Sequence, residues 1–224
     1  MKDTAYLTYT SRFFDYCISN GRDKIYKKLS KYVNLEALNT ILDNGVTSDQ
    51  SHAHSNFFEN KYPHPERITA ISNQDAKWLE DKYKGLKFVL GDGKCLPFKD
   101  NSFDLVFSSA VLEHVGNRAE QKKFISECVR VTNKYVFITT PNKWYPFEFH
   151  SAFPLIHWLP QKVFFKILRL FGKESLANVN VLNLCSKSDI SSMLKELNIK
   201  QFGIYYSYFM GLPSNLLIFI EKNK

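Results

Sequence analysis

The feature that most constrains this chain is an alternation, from residue 39 to residue 140, of short apolar runs with stretches that can form helices. Runs at 39–43, 67–71, 86–90 and 103–108 are followed by a helical pattern at 118–131. A further run at 134–140 is then stopped by Pro141 and Asn142. Strands joined through helices run parallel, because a parallel pair needs a crossover longer than a hairpin loop. Such strands are buried on both faces and read as near-continuous apolar runs, as 103–108 and 134–140 do.

The flanks follow other periods. Residues 22–38 read as a basic helix with Ile25, Leu29 and Val33 on one face. Ser186 and Asp189 have the spacing of a capping box, and Ile190, Met193, Leu194 and Leu197 then share one face. Strands at 201–209 and 216–221 follow, turning across Gly211-Leu212-Pro213-Ser214-Asn215. The uncharged run 202–220 nears the length of a membrane span, but those turn residues make it a hairpin. Between 141 and 184 the alternation stops in a segment rich in aromatics: Trp144, Tyr145, Phe147, Phe149, Phe153, Trp158, Phe164, Phe165 and Phe171. It is too apolar for a linker. The expected organisation is a single domain over 1–224 with 141–184 inserted as a cap.

Hydrophobic residues at 44% and charged residues at 23% exclude disorder, collagen and coiled coil. Thirty Lys and Arg against 22 Asp and Glu leave a net +8, which favours anionic partners such as phosphates or anionic lipid. With the aromatics gathered in one apolar segment and no recognition module in view, nucleic acid is not an expected partner. Cys17, Cys95, Cys128 and Cys185 are scattered without a C-x-x-C pair, against a zinc knuckle, a redox motif or a disulfide framework. The start has no apolar core of signal-peptide length, so a cytoplasmic location is expected.

In open α/β sheets ligands sit beyond the carboxyl ends of the strands, so the residues after each run are the candidates for chemistry. They include Asp43 and Gly45 after the first run, Gly91-Asp92-Gly93 after the third, Ser109 and His114 after the fourth, and Glu148 and His150 just beyond the fifth. His52 and His54 form an H-x-H, but no third ligand with recognisable spacing accompanies them, so no metal is expected.

The stretch from Gly91-Asp92-Gly93 through Leu96-Pro97-Phe98 to Phe103-Asp104-Leu105-Val106, continuing to Val111-Leu112-Glu113-His114, resembles the class I methyltransferases that use S-adenosylmethionine. Glu127-Cys128-Val129-Arg130-Val131 resembles the helix end that precedes the fifth strand in that family. Thr140-Pro141-Asn142-Lys143-Trp144-Tyr145-Pro146-Phe147-Glu148-Phe149-His150 resembles a type 11-like bacterial subgroup with a variant first glycine loop. The resemblance covers roughly residues 39–142. It implies a Rossmann-like, doubly wound, mainly parallel seven-stranded sheet with an antiparallel C-terminal hairpin and an aromatic cap insertion.

The resemblance also implies S-adenosylmethionine as cofactor. Asp92 would accept the adenine amino group and Gly93 would offer its amide to the ring. Asp43, Gly45, Val46 and Thr47 would form the first loop against the methionine part, and Ser109 would be a further cofactor contact. Ser72 and Asn73 stand where the family places the acid that holds the ribose. The first loop departs from the family's G-x-G-x-G, reading Gly45-Val46-Thr47-Ser48-Asp49.

Methyl transfer is an in-line displacement that depends first on alignment, with a base needed only for a poorly nucleophilic acceptor. His114, Glu148 and His150 are the catalytic candidates. The expected function is methylation of a small or lipid-linked acceptor, in the setting of cell-envelope glycan synthesis. Residues 153–173 are basic and amphipathic enough for peripheral contact with the inner face of a membrane. The rival reading is a non-catalytic methyltransferase-like module that binds a membrane surface or a protein.

Overall fold

The computed structural model of the protein describes residues 12–50, 55–148 and 150–222, so the His52 and His54 pair and Phe149 lie outside the described residues. In chain order the strands are β1 (Ile41–Asn44), β2 (Ile68–Ser72), β3 (Lys87–Leu90), β4 (Phe103–Ser109), β5 (Thr132–Pro141), β6 (Phe147–Glu148), β7 (Phe153–Pro154), β8 (Phe202–Phe209) and β9 (Leu212–Glu221). The helices are α1 (Arg12–Tyr32), α2 (Phe57–Lys61), α3 (Trp78–Lys82), α4 (Arg118–Val131), α5 (Gln161–Leu170) and α6 (Lys187–Glu196).

Seven strands form one sheet in the order β3-β2-β1-β4-β5-β9-β8. The pairs among β1 to β5 are parallel, whereas β9 is antiparallel to both β5 and β8. The mainly parallel sheet closed by an antiparallel C-terminal pair is the architecture that the alternation, the C-terminal hairpin and the family resemblance together imply.

Apolar clusters cover both faces. On one, Phe124, Ile125 and Cys128 of α4 and Ile190, Met193 and Leu194 of α6 pack on Val106, Val136 and Ile218. On the other, Ile25 and Leu29 of α1, Phe57 and Phe58 of α2 and Leu79 of α3 pack on Ile41, Leu105 and Phe137. α4 begins at Asn117, whose side chain accepts the amides of Ala119 and Glu120, and α6 begins with the reciprocal Ser186–Asp189 capping box.

Two boundaries differ from expectation for identifiable reasons. The first helix runs from Arg12 to Tyr32, not over 22–38, and a 3-10 turn at Leu35–Ala37 follows. The carbonyls there find partners elsewhere: Leu35 O takes the Tyr62 hydroxyl, and Glu36 O and Leu38 O take the Arg67 guanidinium. At the C-terminal hairpin the turn lies at Met210 and Gly211, both at positive φ, and β9 starts at Leu212. Two central residues at positive φ match the twist of paired strands, so the tighter turn wins over the proline-containing one. Pro213 is tolerated because it sits at the register shift of the β8–β9 pair, beyond the last residue of β9 that pairs with β5.

Residues 142–184 contain the short β6–β7 ribbon and α5, with an apolar cluster of their own built on Phe164, Leu168, Leu176, Ala177 and Leu182.

Candidate functional site

Strand order reverses between β1 and β4, where connections leave in opposite directions and a crevice opens beyond the strand ends. Gly45, directly after β1, has φ +111, and a Cβ there would lie 2.3 Å from Cγ2 of Val111, so the loops after β1 and β4 approach as closely as a glycine permits. The amides of Gly45 and Val46 both reach Ile71 O, at 2.9 and 3.3 Å, and Val46 is buried in the core. Asn56 takes the Thr47 amide on Oδ1 and returns Nδ2 to Thr47 O, while Thr47 Oγ1 accepts the Asp49 amide. Side-chain hydrogen bonds thus hold the turn that extra glycines hold elsewhere.

Asp43 is buried beneath this loop beside Glu59 of α2. Burial, then the neighbouring carboxylate, raises the Asp43 carboxyl well above the usual range, and burial raises Glu59 as well. Asn44 ties the first and third loops together. Its Nδ2 donates to Gly93 O at 3.2 Å, and a Cβ on Gly93 would lie 2.3 Å from its Oδ1. That Oδ1 is buried and has no hydrogen-bond partner among the described residues.

The rim beyond β2 and β3 is open. Ser72 is buried and accepts the Gln74 amide, whereas Asn73 is exposed. Leu90 is 64% exposed, unusual for leucine at a strand end, and Asp92 beside it is exposed with Oδ1 accepting the Lys94 amide. Arg130 and Glu127 of α4 fasten this loop from behind. Arg130 pairs with both Glu127 oxygens at 2.7 and 2.8 Å and donates to Leu96 O, Phe98 O and Asp100, while Glu127 accepts the Leu96 amide. The E-x-x-R spacing is therefore a loop clamp: one turn of helix puts both side chains on the same face.

After β4, Ser109 shares a hydrogen bond of 2.9 Å with Thr139 of β5. The 3-10 turn that follows carries Glu113, fully buried, and His114. Thr140 donates to Glu113 Oε2 at 2.8 Å, and His114 Nδ1 lies 2.6 Å from Val181 O. Beyond β5, Glu148 and His150 are both buried, and their side chains meet at 2.6 Å. Burial alone would raise the Glu148 carboxyl, but bonds from His150 and Ser151 bring it down to about 2. Burial would lower His150, yet the carboxylates of Glu148 and Glu113 leave it raised. The rings of His114 and His150 meet edge to face, 4.8 Å between centroids.

The sequence candidates thus fall into two groups along one sheet edge. Gly45, Asn73, Asp92 and Gly93 lie on or beside the loops after β1 to β3, and His114, Glu148 and His150 gather beyond β4 and β5. Asp43, Val46 and Thr47 are turned into the protein's own packing and loop bonds. Sequence reasoning missed Glu59, Asn44, Asn56 and Glu113. The signal for Glu59 was an acid inside the apolar Phe57-Phe58 face, and for Glu113 an acid between Leu112 and His114 at a strand end. A separate cleft of about 240 Å³ opens between α5 and α6, lined by Arg118, Lys143, His157, Phe164, Cys185 and Asp189.

Residues 55–138 match the family described as "Methyltransferase domain". The chain is 43% identical over 56 residues to norajmaline N-methyltransferase of Rauvolfia serpentina, a stretch that covers 25% of this chain and 17% of that protein's length. Two solved structures share the fold. One is the 1,6-didemethyltoxoflavin-N1-methyltransferase of Burkholderia thailandensis, determined with S-adenosylhomocysteine, with 11% identity, coverage of 93% of this chain and 79% of that one, and a TM-score of 0.57. The other is the N-methyltransferase NodS of Bradyrhizobium japonicum, with 13% identity, coverage of 91% and 96%, and a TM-score of 0.55. The methyltransferase-domain match thus runs from just before α2 into β5, and the two solved methyltransferases share the fold around it.

Proposed function

We propose that the protein transfers the methyl group of S-adenosylmethionine to a small-molecule acceptor. The observation that carries this reading is the rim beyond β3, where an exposed leucine and an exposed carboxylate stand side by side on a loop clamped by Arg130. A nucleoside fits that combination: Leu90 offers an apolar face for a base, Asp92 an acceptor for its amino group, and Asn73 a side chain that can both donate and accept toward a ribose. The buried Asn44 Oδ1, without a donor, is a further point of fit beneath the Gly93 backbone. At the methionine end the Gly45, Val46 and Thr47 amides are already engaged, so the charged tail would be held from Ser48 onward and from the Ser109 and Thr139 hydroxyls.

When bound, the cofactor supplies an electrophilic methyl group on a sulfonium. The protein's part is to align the acceptor and strip water from it. His114 and His150 stand on the acceptor side, and Glu148 is a positioning residue that fixes the His150 ring. Two of the relatives named above are N-methyltransferases named for small molecules, norajmaline and 1,6-didemethyltoxoflavin, which supports a small acceptor here.

A lipid-linked acceptor delivered at a membrane surface is the finer reading. Among the described residues no helix is long and apolar enough to cross a membrane, but α5 presents exposed apolar and basic side chains together. Calorimetric titration of the full chain with S-adenosylmethionine tests the main reading. Saturable binding supports it; no heat and no thermal shift at millimolar cofactor overturns it in favour of the non-catalytic module.

A further inference from the structure

We propose that Glu113, His114 and His150 form a site for a divalent transition-metal cation of the zinc type. One nitrogen or oxygen from each residue lies within 4.8 Å of the others. Two imidazoles and one carboxylate make the donor set that holds zinc where a further coordination position stays open. The mixed nitrogen and oxygen donors also disfavour calcium and magnesium, which take oxygen ligands.

Three observations carry the proposal. First, Glu113 is fully buried, and while Oε2 accepts the Thr140 hydroxyl, Oε1 has no hydrogen-bond partner among the described residues. A buried carboxylate oxygen without a donor is expensive, and a cation removes that cost. Second, His114 Nε2 lies 3.9 Å from that oxygen, too far for a hydrogen bond. It is close to the ~3.4 Å that tetrahedral zinc sets between ligands about 2.0–2.1 Å from the metal. Third, both rings are already oriented as metal ligands are. His114 Nδ1 faces Val181 O at 2.6 Å, and a carbonyl only accepts, so Nδ1 carries the proton and Nε2 the lone pair. His150 Nδ1 faces Glu148 Oε1 at 2.6 Å, the carboxylate–histidine pair that orients metal-bound imidazole.

Access exists on the His114 side, where 28% of the side chain is exposed and the fourth position can meet solvent or an acceptor. The expectation of no metal rested on ligand spacing along the chain. The third ligand instead comes from across the fold, joining the turn after β4 to the segment after β6. The site goes beyond methyl transfer and stands whether or not the cofactor binds.

The test uses the full chain stripped with a chelator and titrated with Co²⁺, read by visible d–d absorption, with Zn²⁺ as competitor. Wild type should give a spectrum that saturates at about one Co²⁺ per chain and is displaced by Zn²⁺. Glu113→Gln and His114→Gln should each weaken binding by at least about tenfold, and Glu148→Gln by roughly 10–100-fold, as expected when a ligand's partner is lost. Thermal unfolding in excess chelator selects the variants that remain folded, and His114→Gln, partly exposed, keeps the test open if Glu113→Gln does not fold. A double His52→Gln, His54→Gln variant should retain the spectrum. No saturable spectrum in wild type, an unchanged spectrum in folded His114→Gln, or its loss in the His52 and His54 variant would each overturn the site. Cofactor calorimetry on wild type is read separately, so failure of the methyltransferase reading and failure of the metal site remain distinct.

Discussion

The carboxyl groups of Asp43, on β1, and Glu59, on α2, are buried against each other, and neither Glu59 oxygen has a donor among the described residues other than what the pair itself can share. Burial and the neighbouring carboxylate disfavour ionising both, so the pair keeps a proton to higher pH than free carboxyls do. Both carboxyls are raised above their unfolded values near 3.9 and 4.3, so the folded state binds more protons than the unfolded chain above that range. The pair's contribution is therefore most favourable below about pH 4 and declines as pH rises toward the folded values. Glu59→Gln, which replaces the shared proton with a permanent amide donor, should raise thermal stability more at pH 8 than at pH 5. Melting curves of both proteins across that range check this, and a larger gain at pH 5 would contradict it.

Arg130 should act on the cofactor rim without touching it. Lysine keeps the charge but cannot span the Glu127 fork together with Leu96 O and Phe98 O. Arg130→Lys should cost about 1–3 kcal/mol of stability through the lost charge-assisted bonds. It should also weaken cofactor binding more than it slows the chemical step. Hydrogen exchange provides the readout for positioning: amides over 92–98 should exchange faster while those of β4 stay protected.

Asp92 serves two purposes, closing its turn on the Lys94 amide and presenting a carboxylate outward. Asp92→Ala removes both and should weaken S-adenosylmethionine binding by about 1–3 kcal/mol. Asp92→Asn keeps an oxygen for the turn and should lose less. If calorimetry finds wild-type affinity in Asp92→Ala, the adenine does not sit at this rim.

The main architecture was legible because it rests on local patterns. The apolar runs at 103–108 and 134–140 became β4 and β5 with small extensions, and Ser186 with Asp189 closed the capping box. The hairpin turn was misplaced because Pro213 reads as a turn residue, and only the register shift beside it explains its place in a strand. The site was legible as a set of strand ends but not as a set of contacts. Nothing in the spacing of Gly45 and Val111, or of Glu113 and His150, says that they meet, since that follows from which strands are neighbours in the sheet. Thr47 lies in the first loop, where the sequence departs from the glycine pattern. Its partner Asn56 lies in the next turn, and their mutual bonds show how the loop holds its shape without glycine.

Glu148 should be the costliest single loss in the segment beyond β5. It is buried and accepts the His150 ring, the His150 amide and the Ser151 amide. Glu148→Ala leaves these donors unpaired and should destabilise by about 3–5 kcal/mol. Chemical denaturation should move to a lower midpoint with an unchanged slope, and a loss below about 1 kcal/mol would mean that the segment re-pairs those donors with water.

The surface of α5 gives the last prediction. Its inner face packs Phe164 and Leu168, with half-buried Phe165 beside them, into the small cluster of its own segment, so that burial already explains these apolar residues. Others are not explained by the fold: Val163 is 44% exposed and Leu170 81%, and Phe171, Trp158 and Leu159 are exposed beside them. Lys162, Lys166 and Arg169 are exposed on the same helix, so apolar and basic groups face outward together. That pairing suits the boundary of an anionic bilayer, where apolar side chains enter the interface and each basic residue adds about 1 kcal/mol. Full-length protein should therefore pellet with vesicles containing anionic lipid, less so as salt rises, and not with neutral vesicles. Reversing Lys162, Lys166 and Arg169 to Glu should weaken that binding by roughly a hundredfold or more, about 3 kcal/mol or above. The melting temperature should change little on reversing the exposed Lys162 and Lys166, whereas Arg169 also donates to Ala177 O, so its reversal removes one hydrogen bond as well. Equal and negligible pelleting of both proteins would make α5 an ordinary surface helix and remove the support for a lipid-linked acceptor.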